Sequence, residues 1–255
     1  MSLSLLRSLA VTDPLLILAT MMMASISVAL SFFDPKGARQ HRVARRWGRM
    51  LLGIGCVRVE VGGLRHLAPD RNYVFAGNHL SLMDTPLMLA NIPHQFLFLV
   101  NSKYVRLPFL GTHLRRGGHF TVHPDDTRAS LKTMTEAART MRERGLSVLL
   151  FPEGARARGE LREFKEGAAY MSIKSGVPVV PFAIRGTREI LPVGSLHVRG
   201  GSVRLLFGEP MDPAGLLLKD RAAFTAAIRR RVADLQAALE SGQVPPALLS
   251  ERALR

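Results

Sequence analysis

His79 and Asp84 lie five residues apart in the stretch Gly77-Asn78-His79-Leu80-Ser81-Leu82-Met83-Asp84. The pair can do one kind of chemistry. A carboxylate that accepts from one imidazole nitrogen fixes the tautomer and stabilises the imidazolium, so the other nitrogen can take a proton from a hydroxyl. Five residues at 3.6 per turn is about 500°, roughly 140° from eclipsed, so the two side chains do not share a helix face. For them to meet, His79 must sit in a turn and Asp84 in the first helical turn after it. Ser81 followed by Asp84 reads as a helix start, and an ordinary turn capping a helix is the other reading of this octapeptide taken alone.

The elements that would position these groups are visible around them. The apolar run Tyr73-Val74-Phe75-Ala76 reads as a short buried strand, and loops at strand ends present polar groups from a rigid base. A second junction of the same kind follows. Ser147 to Phe151 is a strand that runs straight into Pro152-Glu153-Gly154-Ala155-Arg156. Gly154 lets backbone N–H groups approach an anion, and Arg156 offers a bidentate fork for phosphate. A surface turn with a solvated arginine is the alternative for that loop taken alone.

The 255 residues suffice for one large α/β domain with an appendage. Lys and Arg number 35 against 20 acids, a net +15 that implies an anionic partner. The single cysteine, Cys56, excludes an internal disulfide framework, and no Cys/His cluster has zinc spacing.

Pro14 to Phe33 is twenty residues without a charge. A helix of that length covers about 30 Å, the thickness of a bilayer's hydrocarbon, and predicts a membrane helix or membrane-embedded hairpin rather than a cleaved signal or a core helix. Lys36, Arg39, Arg42, Arg45, Arg46 and Arg49 follow it, which places the remainder on the cytoplasmic face of the cell membrane by the positive-inside rule. Val43, Trp47, Met50, Leu51 and Ile54 put an apolar stripe on this basic helix. The stripe suits either anionic lipid, with Trp47 interfacial, or packing onto the domain. No nucleic-acid signature accompanies the arginines.

Further strands are expected at 57–61, 96–100, 120–122, 177–184 and 203–207, and helices at 85–91, 127–144 and 220–239. The prolines of Val177-Pro178-Val179-Val180-Pro181 suggest an edge position or a bulge. The alternation predicts an α/β fold, a single mixed sheet covered by helices, with the membrane-associated N-terminal helix or hairpin ahead of it. The expected organisation is a membrane-anchoring segment over 1–55, a catalytic domain over 56–240 and a loosely held tail over 241–255.

The chain resembles the glycerolipid acyltransferase family that includes the 1-acylglycerol-3-phosphate acyltransferases. Asn78-His79-Leu-Ser-Leu-Met-Asp84 is similar to the family's first block, His-x4-Asp preceded by Asn. Phe151-Pro152-Glu153-Gly154-Ala155-Arg156-Ala157 is similar to its third, and Val177 to Pro181 to its fourth. The resemblance spans roughly residues 55 to 210. It implies an O-acyltransferase that moves a fatty acyl group from acyl-ACP or acyl-CoA to the free hydroxyl of a lysophospholipid, with 1-acyl-sn-glycerol 3-phosphate giving phosphatidic acid. His79 would be the general base and Asp84 its orienting partner. Glu153, Gly154 and Arg156 would hold the acceptor's phosphate, with Asn78, Ser81 and Lys103 completing the substrate-binding set. The acceptor's free hydroxyl would attack the acyl thioester directly, with no acyl-enzyme, and neither metal nor cofactor is implied.

The sequence departs from the family's pattern in two places. Ala155 and Ala157 stand for Thr and Ser, removing two hydroxyls near the phosphate. In the second block the family's Asp and Arg fall on His123 and Pro124, so a phosphate-binding arginine is missing unless Arg115, Arg116 or Arg128 replaces it. An acceptor with another head group, such as a lyso-ornithine lipid, is the alternative substrate. A serine lipid hydrolase using Ser81 is the alternative of another class, although the chain contains no Gly-x-Ser-x-Gly elbow.

Overall fold

A computed structural model describes residues 3–34, 36–107, 109–157, 160–195, 197–242 and 249–250. Its centre is a mixed sheet of eight strands. In chain order these are β1 (Val57–Gly62), β2 (Val74–Gly77), β3 (Phe96–Asn101), β4 (Phe120–Val122), β5 (Ser147–Leu150), β6 (Val179–Arg185), β7 (Gly201–Phe207) and β8 (Leu249–Ser250). Their spatial order is β4-β3-β5-β2-β6-β7-β1-β8. β2 lies in the middle, parallel to β5 on one side and to β6 on the other. All four of its residues are buried, which is why the run reads as continuously apolar rather than alternating.

Helices cover both faces. On one lie α2 (Asp13–Ser31), α3 (Ala38–Ile54) and α4 (Asp84–Asn91), over a core that includes Leu52, Phe75, Leu87, Met88, Phe96 and Phe207. On the other lie α7 (Thr127–Arg144), α8 (Gly167–Ser175) and α10 (Arg221–Ser241), over Val74, Met141, Val148, Met171 and Ile228. Shorter helices α5 (Ser102–Val105), α6 (Leu110–Arg116) and α9 (Thr187–Ile190) finish the connections, and α1 (Leu3–Arg7) leads through a π-turn into α2. The expected α7 has both of its ends capped. Asp126 accepts from the Ala129 N–H at 2.8 Å, and Gly145 closes the helix in a left-handed conformation.

The N-terminal segment docks on the domain. α3 buries Gln40, Ala44, Gly48, Leu51 and Leu52 and leaves Arg39, Arg42, Arg46 and Arg49 exposed on the opposite face. One side of α3 therefore packs onto the domain, with Leu51 of the stripe buried and Val43, Trp47, Met50 and Ile54 half-buried. Trp47 donates its indole N–H to Thr20 Oγ1 at 3.0 Å, tying α3 to α2. Leu5–Ser31 is long and apolar enough to cross a membrane by length and composition, and Leu15, Ile17, Leu18, Met21, Met22 and Ile26 are exposed along it.

Two expectations need correction or completion. The prolines do not mark a sheet edge, because β6 sits inside the sheet between β2 and β7. The sheet tolerates Pro181 because its missing donor faces the β7 side just past Phe207, where β7 ends and Gly208 donates to the Pro181 carbonyl at 2.8 Å. Of the tail expected over 241–255, residues 243–248 and 251–255 lie outside the described residues, while Leu249–Ser250 pair antiparallel with β1.

Three histidines lie on the face covered by α2, α3 and α4. Burial, reinforced by Arg45, brings His41 down to about 4 from its ordinary 6.5. Burial and the nearby His113 and His41 bring His119 to about 3, and burial also lowers His113. A folded pKa below the unfolded one means that the unfolded chain binds more protons once pH falls below about 6.5. Stability contributed by keeping these rings neutral is then lost progressively down to the folded values, at up to about 1.4 kcal/mol per pH unit for each ring. Denaturant unfolding between pH 7 and pH 4 should show stability falling with acidification, with a shallower slope in a His119→Asn variant.

Candidate active site

The site forms where β2 and β5 end side by side. A Cβ on Gly77 would lie 2.3 Å from the Phe182 carbonyl oxygen, so only glycine lets β2 finish this close to β6. Asn78 then continues the pairing with its side chain. Its Nδ2 donates to the Ile184 carbonyl at 2.9 Å and its Oδ1 accepts from the Ile184 N–H at 2.7 Å. The chain is thereby held in place one residue before His79.

Asp84 is the first residue of α4 and is fully buried. Its Oδ2 accepts three hydrogen bonds, from His79 Nδ1 at 2.7 Å, from the Leu80 N–H at 2.7 Å and from the Ser81 N–H at 2.9 Å. The turn and the histidine ring are thus fixed by one oxygen. Bonds to a charged acceptor are the strong ones, about 1.5–3 kcal/mol each, and the partial positive charge at the start of α4 favours the carboxylate further. With Nδ1 committed as a donor, Nε2 of His79 carries the lone pair.

The second loop completes the setting. Phe151 stacks on the His79 ring with centroids 4.0 Å apart and planes 12° apart. The Ala157 N–H donates to the His79 carbonyl at 2.7 Å, and the His79 N–H donates to Glu153 Oε1 at 2.7 Å. Glu153 Oε2 accepts from the Arg162 N–H at 3.0 Å. Burial pushes the Glu153 carboxyl above its ordinary range, while these two N–H bonds pull it back down. His79 keeps 18% of its side-chain surface open. That opening leads into a cavity of about 1050 Å³.

The expected site residues divide into two groups. His79, Lys103, Gly154 and Arg156 line the cavity. Asn78, Ser81 and Glu153 do not; their polar groups are turned to other parts of the protein. Asn78 and Glu153 are held by the backbone partners above, and both are buried. Ser81 Oγ donates to the Leu191 carbonyl at 2.7 Å and accepts from the Met83 N–H at 3.2 Å. A nucleophilic serine needs its hydroxyl against the histidine base, and this one is turned away and fully buried, so the hydrolase arrangement is not formed.

The residues weighed as replacements for the missing second-block arginine do not line the cavity either. Arg115 bonds the Val105 carbonyl, Arg116 lies over the Phe32 ring and bonds Ser31, and Arg128 is exposed elsewhere. Lys165 and Arg221 line the cavity instead. A Cβ built on Gly154 would meet Lys165 Nζ at 3.3 Å, so that ammonium lies over the loop that carries Arg156. Arg221, at the start of α10, is paired with Glu166 at 2.7 Å. Neither stood out in the sequence, because a lysine before a helix and an arginine opening one are common surface features. The hydroxyl missing at Ala157 costs the cavity nothing, since that residue is buried away from it; Ala155 does line it. Among the described residues no group of three or more His, Cys, Asp or Glu is placed to hold a metal ion.

Comparison with known proteins agrees with this geometry. Residues 58–185 match the acyltransferase family. A chloroplastic 1-acyl-sn-glycerol-3-phosphate acyltransferase of Arabidopsis thaliana is 29% identical over 183 residues, 70% of this chain and 51% of that protein. The 1-acyl-sn-glycerol-3-phosphate acyltransferase of Borreliella burgdorferi is 26% identical over 185 residues, covering 72% of this chain and 74% of the relative. The chain spans about half the length of the plant relatives it matches. The crystal structure of the 1-acyl-sn-glycerophosphate acyltransferase from Thermotoga maritima shares the fold, with a TM-score of 0.69 at 24% identity over 88% of this chain and 96% of that one.

Glu153→Gln should separate positioning from contact. The amide turns one acceptor into a donor against a backbone N–H, at a cost of about 1–3 kcal/mol. The variant should melt earlier and turn over more slowly, with little change in KM for either substrate. A large rise in one KM alone would instead place Glu153 against that substrate.

Proposed function

The chain belongs to the acyltransferase family, and on that premise we propose that it moves a fatty acyl group from an acyl thioester to the free hydroxyl of 1-acyl-sn-glycerol 3-phosphate, giving phosphatidic acid. The observation that carries this reading is the His79–Asp84 pair, with its free nitrogen opening on a largely apolar cavity whose lining also includes Lys103, Arg156, Lys165 and Arg221. His79 Nε2 takes the proton as the acceptor's hydroxyl oxygen bonds to the thioester carbonyl carbon. The carbon–sulfur bond then breaks, and the departing thiolate receives the proton. Asp84 stabilises the imidazolium between those two moments. No acyl-enzyme, metal or prosthetic group is needed for this sequence.

The head group is the finer question. Lys103, Lys165 and Arg156 have no carboxylate partner among the described residues, and Arg221 shares its charge with Glu166. A cluster of this sign suits a net-anionic phosphate better than the zwitterionic amine and carboxylate of an ornithine head group, which favours lysophosphatidic acid over a lyso-ornithine lipid. Lys165 and Arg221 stand in, on this reading, for the arginine that Pro124 displaced. The exposed apolar side of α2 and the arginine face of α3 support residence at an anionic membrane surface, on its cytoplasmic side. Acyl-ACP and acyl-CoA remain the two donor forms.

Purified enzyme with a labelled thioester and a panel of lysolipids should show transfer to lysophosphatidic acid above all others. His79→Ala should abolish it in a folded protein, and Asp84→Asn should lower kcat by about 10³-fold or more. Transfer at the wild-type rate by folded His79→Ala would refute the mechanism. Arg156→Ala and Lys165→Ala should each raise the acceptor KM about tenfold while leaving the donor KM nearly unchanged.

A further inference from the structure

The cavity does not end in hydrocarbon. His79 lies past the carboxyl end of β2, whereas Phe96 opens β3 at its amino end, and the six residues of β3 at about 3.3 Å each reach roughly 17 Å down the sheet. Much of the lining is apolar and includes Leu82, Leu89, Phe98 and Leu114. Toward the amino end of β3, where His41 packs edge-on against Phe96 and His119 lies beside Phe98, the floor adds Ser27, Gln40, His41, His113 and His119. Five polar side chains at the far end of a largely apolar groove are unfavourable unless something there pairs with them.

The floor is internally organised. Ser27 Oγ is 2.7 Å from His113 Nδ1, Gln40 Nε2 donates to Ser27 Oγ at 3.3 Å, and the Phe98 N–H donates to His119 Nδ1 at 3.0 Å. These bonds leave atoms over. Gln40 is 2% exposed, and its Oε1 has no hydrogen-bond partner among the described residues. His113 and His119 each commit Nδ1, and Nε2 of neither makes a hydrogen bond among those residues. Burial keeps the rings uncharged near neutral pH, so a carboxylate or an ammonium group finds no counter-charge among them. A neutral group that both donates and accepts fits the vacant positions.

We propose that this floor is a recognition site for a hydroxylated acyl chain, which it holds through a hydroxyl at or near the chain's methyl end between Gln40, His113 and His119. The inference rests on the acyl-transfer reading, since the chain that reaches the floor is the one whose thioester sits at His79. Sites built to bond a hydroxyl discriminate strongly against the ligand that lacks it, because the buried polar groups are then left unpaired.

The test compares hexadecanoyl-CoA with 16-hydroxyhexadecanoyl-CoA as donors to lysophosphatidic acid, using the full chain in detergent. The hydroxylated donor should be preferred about tenfold in kcat/KM, and Gln40→Leu should bring the ratio close to one. Equal use of the two donors by wild-type enzyme, or a preference for the plain chain, overturns the proposal. If neither these donors nor octanoyl-CoA is turned over, it is the acyl-transfer reading that fails. Calorimetry with the free 16-hydroxyhexadecanoic and hexadecanoic acids still decides the floor in that case. Tighter binding of the hydroxy acid supports the proposal, and equal affinities overturn it.

Discussion

A single carboxylate oxygen, Asp84 Oδ2, holds the catalytic geometry together. It binds the histidine ring and the two backbone N–H groups of the turn that carries the ring. The tautomer of His79, the shape of the loop and the start of α4 are therefore one constraint rather than three. The oxygen is fully buried, so no water competes for these bonds. Taking an ionised group out of water is expensive, and three donors plus a helix N-terminus are what make it tolerable here.

The loop after β5 adds a second, weaker layer of control. Glu153 grips the backbone of His79 from one side while Phe151 stacks on its ring from the other. Neither residue needs to touch a substrate to matter, because each limits where the ring can go. The charged groups that line the cavity are Arg156, Lys103, Lys165 and Arg221, the last of them paired with Glu166. On the proposed reading, proton chemistry is concentrated at the carboxyl ends of the strands, where parallel sheets place their sites, and the proposed chain-recognition floor lies down the face of β3.

The reach of the sequence follows from the range of the interactions. His79, Asp84 and the Gly154–Arg156 loop were legible because each lies within a few residues of an apolar strand that announces itself. The mixed sheet with helices on both faces followed from the same alternation. The internal partners of Asn78, Ser81 and Glu153 carry no local signature because they are remote: Ile184, Leu191 and the His79 backbone lie 106, 110 and 74 residues away. The pattern around Pro181 pointed to an edge because a proline's missing donor is local knowledge, whereas the point at which β7 stops is not. Lys165 and Arg221 carry no local signature at all, and only folding brings them to the cavity. The comparisons reach the family, and the residues of this chain carry the reading of the head group.

The central claim is that His79 presents an unprotonated Nε2 because Asp84 holds the proton on Nδ1. Nitrogen-15 NMR of the histidine rings in the full chain at neutral pH tests it most directly. The account predicts that His79 Nδ1 carries a strongly downfield proton, that Nε2 is bare, and that the pattern is lost in Asp84→Asn. A proton on Nε2 with Nδ1 bare in the wild-type protein would contradict it.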